Sequence, residues 1–395
     1  MPLLSPPAQP NTPPPRRAWH RILRDTLLVV AVTAGLTLAL LEIGLRLFAP
    51  QISPEMRADQ LNGLFVSDPA TSNRNAPGAH IPFRYDEFNT SFDINTQGLR
   101  EDRLVGPPIP GTTRLLCLGD SFTFGWGVPV TQTYPYLLRD SRAADGSPID
   151  PVNGGVNGYG PDNEAAWLRT YGWPLQPKIV LVGFFVGNDV RDTMLGLNKT
   201  TVDEQLGLVS AGLSAPRTPL AALKSWLAHH SQAYVLLRRL AHDWFAPSQP
   251  AVRQPGLYDT APFYYKPVPP DIASGWNKAT GLLDAMRADA QAHGAMLVVV
   301  AIPAREQVED SYWQEMKNRF GLHEDALARD LPQQKLAAWA ARTGAPLIDL
   351  LPDFRAAPAA PPLYFRNDPH WNASGHAIAA QLIRFGLIRL GLFSR

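Results

Sequence analysis

The chain has 395 residues, and its 36 Lys and Arg against 35 Asp and Glu give a formal charge of +1, which excludes broad electrostatic binding of nucleic acid. An apolar share of 45% with 9% aromatics excludes wholesale disorder and fits one large domain or two small ones. Its 39 prolines are about twice the usual share and argue against a compact helical bundle, and one cysteine, Cys117, permits neither a disulfide framework nor a Cys-based zinc site.

Residues 1–15 hold seven prolines, so few of their amides can donate to helix or sheet, and residues 1–25 read as a Pro-rich cytoplasmic tail. Thr26 to Phe48 is an apolar run that as a helix would be about 34 Å long, against roughly 30 Å of hydrocarbon in a bilayer. Arg16, Arg17, Arg21 and Arg24 precede this run and only Arg57 follows closely, which predicts a cytoplasmic N-terminus and an exported remainder. A cleaved signal peptide is the competing reading. The run is long for one, and no small-x-small cleavage site follows it before Pro50, so 26–48 is expected to be a single transmembrane helix. Glu42 and Arg46, four residues apart, can pair near the outer leaflet, either as an interfacial anchor or as a docking face for a partner membrane helix.

Residues 49–112 show little helical periodicity and much Pro, Gly, Asn and Asp, the texture of a strand-and-loop collar. Within it Phe92, Ile94 and Thr96 alternate with polar residues before a glycine, as in a short half-buried strand. From 113 to 395 apolar runs alternate with helical segments. Strands are expected at 114–119, 178–187, 295–302 and 345–350, and helices at 132–143, 161–172, 271–293, 332–343 and 373–390. That order predicts an α/β domain with a central parallel sheet and helices on both faces, and places ligands at the C-terminal ends of the strands.

The chemistry begins at such an end. GDSFTFGWG at 119–127 sets Ser121 two residues after a buried strand, with Gly119 freeing the backbone to turn. A serine capping a helix would read the same way. GGVNGYGPDNE at 154–164 offers a backbone N–H from another loop, and VGND at 186–189 sets Asn188 just past the second strand, although glycine clusters mark turns and an Asn there is more often a local cap. FRNDPHWNASGHAIAA supplies Asp368 and His370 before the last helix, where an imidazole could reach over the serine. Acyl transfer through a tetrahedral intermediate needs a nucleophile, a base and preorganised donors, and these blocks contain all three.

Together, GDS at 119–121, the loop centred on Gly158, GND at 187–189 and DPHWNASGH at 368–376 resemble the SGNH (GDSL-type) hydrolase superfamily in order and approximate spacing, over residues 113–390. The resemblance implies a flavodoxin-like three-layer α/β/α sandwich, with Ser121 as nucleophile and His370 as general base and then acid. It also implies oxyanion donors at the Ser121 and Gly158 amides and the Asn188 side chain. In the common spacing the acid stands three residues before the histidine; here that position is Asn367 and Asp368 stands two before. Asp368 is therefore taken as the acid, with Asp349 at the end of the fourth strand as the fallback, and a dyad with a backbone carbonyl as a further option. The D-x-H-W pattern is similar to that of SGNH-like proteins that acetylate exopolysaccharides such as alginate, although there the pair precedes the serine. Asp120 and Asp189 read as structural acceptors holding the two strand-end loops.

Other residues weigh less. His376 lacks the neighbours of a complete metal site, and neither metal nor cofactor is expected. Residues 190–270 are an insertion on the site's side of the sheet, with Leu220, Leu223, Leu227, Tyr234 and Leu237 at helical spacing as a packing face and a lid or acceptor-binding role open to it. LYDTAPFYY at 257–265 could stack on sugar rings or be ordinary core. The expected protein is a single-pass protein of the inner membrane with a periplasmic or extracellular serine esterase domain acting on an acylated envelope or secreted glycan. An O-acetyltransferase working beside a membrane acyl-donor protein shares the same acyl-enzyme. A non-catalytic glycan-binding scaffold is the alternative from another class, and a lipase or thioesterase would need a deep apolar pocket.

Overall fold

The computed structural model describes residues 16–53, 56, 59–85, 87–197, 200–203, 207–210, 218–245, 260–358 and 360–394. The Pro-rich stretch 1–15 lies outside these. The chain divides into two compact units, Met1–Glu55 with Arg217–Ala246, and Met56–Pro216 with Pro247–Arg395.

In the first unit a helix runs from Arg16 to Phe48, and its stretch Trp19–Phe48 is long and apolar enough to cross a membrane. Most of its leucines, valines and isoleucines are exposed, with Leu41 and Leu45 half-buried. Against its C-terminal end packs a hairpin of helices Pro219–His230 and Gln232–Phe245. Glu42 and Arg46 do pair, at 2.7 Å, but their other bonds go to the hairpin. The Glu42 carboxylate accepts from Ser231 Oγ at 3.1 Å and from the Gln232 and Ala233 amides at 3.0 and 2.9 Å, satisfying donors that the start of a helix leaves open. Arg46 donates to the His230 carbonyl at 2.6 Å, at the end of the preceding helix. The expected packing face is corrected here. Ala228, Ala233 and Val235 are the buried residues, Leu227 and Tyr234 are half-buried, and Leu220, Leu223 and Leu237 are exposed. Within the expected insertion 190–270, residues 217–246 group with the N-terminal helix.

The second unit opens with two antiparallel pairs, β1 (Phe65–Asp68) with β2 (Ser72–Asn75) and β3 (His80–Arg84) with β4 (Asn89–Asp93). Phe83 and Phe92 of the second pair are buried in the main core, so the collar packs as part of the domain. Next come β5 (Thr113–Gly119), β6 (Ile149–Asn153) and β7 (Ile179–Phe185), an antiparallel pair β8 (Thr200–Asp203) and β9 (Gly207–Ser210), then β10 (Met296–Ile302) and β11 (Leu347–Asp349). The five-stranded sheet is parallel throughout, in the order β11-β10-β7-β5-β6. Numbered within the sheet this is 2-1-3-4-5 from the β6 edge, the flavodoxin-like order, whose switch point falls between β5 and β7.

Alternation along the strands splits the core into two layers. Leu116, Leu118, Val180, Val182 and Val299 face helices Pro161–Trp167, Pro270–Ala292 and Leu331–Thr343. Leu115, Cys117, Leu181, Val298 and Val300 face helix Ala373–Arg389 through Ala379, Ile383 and Leu387. The four expected strands are present; β6 was not foreseen, because IDPVN is short and carries Pro151, which the sheet tolerates at its edge. The expected helix 132–143 is broken into a turn at Val130–Gln132, a helix Tyr134–Leu137 and a turn at Leu138–Asp140. Thr133 between the first two is extended and caps the Tyr136 amide.

Candidate active site

β5 ends at Gly119, whose φ of +152° suits glycine and where a Cβ would lie 2.1 Å from Thr123 Oγ1. That bend delivers Ser121 to the first position of a short helix, Ser121–Phe124, beside the switch point. Asp120 caps the helix by accepting from the Phe122 amide at 2.9 Å, so the serine hydroxyl is not spent on capping.

Ser121 Oγ lies 2.7 Å from His370 Nε2, and His370 Nδ1 lies 2.6 Å from Asp368 Oδ1. The same carboxylate oxygen accepts the His370 amide at 2.9 Å, a bond that the one-residue spacing D-x-H makes possible. All three side chains are buried. Burial alone would raise the Asp368 pKa; the charge and two hydrogen bonds of His370, with the Trp126 indole, outweigh it and hold the carboxyl below its ordinary value. Asp349 accepts from the Leu351 amide at 3.0 Å, and burial raises its pKa.

Three residues that sequence reasoning missed fix the loop carrying Asp368 and His370. Trp126 Nε1 donates to Asp368 Oδ2 at 3.3 Å while its ring packs 5.1 Å from both Phe83 and Phe92 of the collar. Glu87, also in the collar, accepts the Arg366 amide at 2.7 Å and the Asn367 amide. Arg305, just past β10, donates to the carbonyls of Phe365 and Arg366 at 2.6 and 2.9 Å. Trp126 stood inside the serine block, whereas nothing local in sequence marks Glu87 or Arg305. Asn372 then caps the last helix through the Ser374 and Gly375 amides, and Trp371 is buried edge-on to Phe122.

The other candidates lie on neighbouring loops. The Val156 amide donates to Gly119 O at 3.1 Å and the Asn153 side chain to Thr123 O at 2.8 Å, which ties the glycine loop to the serine turn. Gly158 on that loop has φ +80°. Asn188 follows β7 as the cap residue of helix Asp189–Leu195, yet its side chain makes no capping bond, and its Oδ1 has no hydrogen-bond partner among the described residues. Asp189 Oδ2 accepts the Phe185 amide at 2.9 Å across the end of β7. Burial pushes the Asp120 carboxyl up to about 6, only partly offset by the Phe122 amide, the His370 charge and the Asn188 side chain. His376 is buried, accepts from the Tyr134 amide at 3.3 Å, and burial lowers its pKa to about 3. Of the aromatic segment, 257–259 lie outside the described residues, while Phe263 and Tyr264 are core. A cavity of about 250 Å³ adjoins Asp368, lined by Arg305, Tyr312, Arg319, Arg366 and Asn367 among others.

Residues 262–385 match a family model described as SGNH hydrolase-like domain, acetyltransferase AlgX. The matched stretch contains Asp368 and His370 and ends the comparison short of the Ser121 block. That match makes the C-terminal part of the chain similar to an SGNH hydrolase-like domain. Among solved structures, the fold is similar to a putative acylhydrolase from Bacteroides fragilis at 12% identity and a TM-score of 0.37, over 73% of this chain and 92% of that one. It is similar to a GDSL-like lipase from Bacteroides thetaiotaomicron at 14% identity and 0.34, over 72% and 92%. An acetylxylan esterase from Geobacillus stearothermophilus, in a catalytic mutant form, gives 12% and 0.37, over 70% and 94%. A comparison with curated proteins gave no match.

Proposed function

We propose that this chain is a membrane-anchored serine enzyme that moves an acyl group, most simply acetyl, to or from the hydroxyls of an envelope or secreted glycan. The observation that carries the reading is the hydrogen-bonded series Asp368–His370–Ser121 at the switch point of the sheet. Ser121 Oγ attacks the acyl carbonyl carbon as His370 Nε2 takes its proton, while Asp368 holds Nδ1 and stabilises the imidazolium. The amides of Ser121 and Gly158 and the Asn188 side chain are the donors for the oxyanion. The intermediate collapses when His370 returns the proton to the departing alkoxide, leaving an acyl-Ser121 ester. A water or a sugar hydroxyl, deprotonated by His370, then attacks that ester and frees the serine.

The match to an acetyltransferase domain and the D-x-H-W pattern favour a sugar hydroxyl as acceptor, with a membrane protein presenting the acyl donor; hydrolysis is the second reading and needs no further residue. The helix Trp19–Phe48 is read as an inner-membrane span with Arg16, Arg17, Arg21 and Arg24 on the cytoplasmic side and the catalytic unit outside.

The test is acetate release from p-nitrophenyl acetate by the detergent-solubilised chain, with and without an oligosaccharide acceptor. Ser121→Ala and His370→Ala should each lower kcat by about 10⁴-fold or more, and acetylated oligosaccharide among the products identifies a transferase. Wild-type turnover equal to that of both variants would remove the enzyme reading and leave the binding scaffold.

A further inference from the structure

Helices Pro219–His230 and Gln232–Phe245 carry an apolar surface that no described residue of their own unit covers. Leu220, Leu223 and Trp226 share one face of the first helix and are 60%, 53% and 56% exposed. On the second, Leu237 and Leu240 are exposed at three-residue spacing. A water-soluble hairpin turns such positions inward. Here the inward positions are the small residues Ala228 and Ala233 with Val235, so the larger side chains face out.

Charge follows the same division. Between Pro219 and Phe245 the sequence has Lys224, Arg238 and Arg239 against one acid, Asp243, and all three cations are exposed. Exposed leucines beside lysine and arginine make the pattern of a helix lying in a membrane interface and drawn to anionic headgroups. Position selects the occupant. Glu42 and Arg46 bind the hairpin at the junction of its two helices, within the last two turns of the helix Arg16–Phe48. The exposed Leu40, Ile43, Leu47 and Phe48 of that helix lie at the same end, so the apolar surface of the hairpin continues the lipid-facing surface of the span.

We infer that the hairpin Pro219–Phe245 is a second membrane contact. It lies in the headgroup region of the leaflet from which the N-terminal helix emerges, with Leu220, Leu223, Trp226, Leu237 and Leu240 against acyl chains and Lys224 and Arg239 among anionic headgroups. This rests on the span reading above. Glu42 and Arg46 then dock the chain's own hairpin at the membrane surface rather than a separate membrane helix. The hairpin interrupts the catalytic unit in sequence, so the chain is tied to the membrane at two points separated by the 161 residues 56–216 of that unit.

The experiment uses the full chain in vesicles of phosphatidylcholine and phosphatidylglycerol in equal parts. Single cysteines are introduced by Leu223→Cys, Leu237→Cys, Leu36→Cys and Asp325→Cys and labelled with an environment-sensitive fluorophore, the native Cys117 being fully buried. Labels at 223 and 237 should shift to the blue and be quenched by shallow nitroxide lipids, as the label at 325 is not. Adding Lys224→Glu with Arg239→Glu should lower that quenching. Labels at 223 and 237 open to aqueous iodide, while the label at 36 is lipid-quenched, would overturn the hairpin proposal and leave the span intact. Labels shielded from iodide yet untouched by lipid quencher would overturn it in favour of a protein occupant, such as a second copy. An aqueous label at 36 would remove the span reading and this proposal with it.

Discussion

Asp368 spends its two oxygens on three donors, the His370 amide and ring through Oδ1 and the Trp126 indole through Oδ2. Replacing it with Asn offers the imidazole an amide that cannot hold the same tautomer or stabilise the imidazolium, so Asp368→Asn should cost about 10⁴-fold in kcat with little change in KM. Trp126→Phe keeps the ring among Phe83 and Phe92 but removes one donor that lowers the Asp368 pKa. It should cost about tenfold, the scale of one hydrogen bond to a charged group, and move the acid limb of the kcat profile upward in pH. A kcat unchanged across pH would show that the indole only packs. Asp120 behaves oppositely. Its folded pKa, about 6, lies above the unfolded carboxylate value, so its favourable contribution is complete below about pH 4 and is lost as pH rises through 6. Thermal midpoints of Asp120→Asn and wild type should therefore diverge between those values, with the variant gaining, and parallel curves would mean that the carboxyl ionises freely in the fold.

At the scale of elements, one joint in each unit can be tested. Gly119→Ala would set a methyl 2.1 Å from Thr123 Oγ1 and 3.0 Å from Gly183 O, at a φ that L-residues avoid. The serine turn must then shift, and we expect a loss of about 1–3 kcal/mol in stability with activity falling further than stability accounts for; unaltered activity would mean the turn does not set the nucleophile. In the other unit, Glu42→Ala leaves the first amides of helix Gln232–Phe245 without their acceptor, a loss of about 1 kcal/mol. Hydrogen exchange at Gln232 and Ala233 should quicken, and unchanged exchange would show that water replaces the carboxylate. Four of the five core strands were legible because each is a continuous apolar run, and the Ser121 and Asn188 blocks stand out as polar residues just past two of them, whereas the Asp368 and His370 block is marked only by its residue types before the last helix. β6 was not, since Pro151 and its length of five hide a strand that only the edge of a sheet stabilises. Glu87 and Arg305 were illegible for another reason: each holds backbone groups of a loop distant in sequence, and a backbone acceptor or donor leaves no residue signature. The hairpin stripe was read as packing because periodicity reports an apolar face without saying whether protein or lipid lies against it.

For the whole molecule, the division into units does not follow the chain, and this decides how it can be cut. Ser121, His370, Asp368 and the residues that brace them all belong to the unit of Met56–Pro216 and Pro247–Arg395. The hairpin belongs with the N-terminal helix, although its sequence is embedded in the catalytic unit. Removing residues 1–55 alone therefore deletes Glu42 and Arg46, the partners of the hairpin's junction, and leaves its exposed leucines in place. Such a surface, larger than soluble monomers normally present, drives association. Residues 56–395 should aggregate or bind vesicles, whereas the same segment with 217–246 replaced by a Gly/Ser linker should be monodisperse. Both should retain p-nitrophenyl acetate turnover within about threefold of the full chain, because neither cut touches a group that contacts the reacting atoms. Size-exclusion profiles and turnover measured side by side decide it. A monodisperse 56–395 would mean the hairpin buries its apolar face without the N-terminal helix, and turnover lost only on hairpin replacement would tie that helical pair to catalysis.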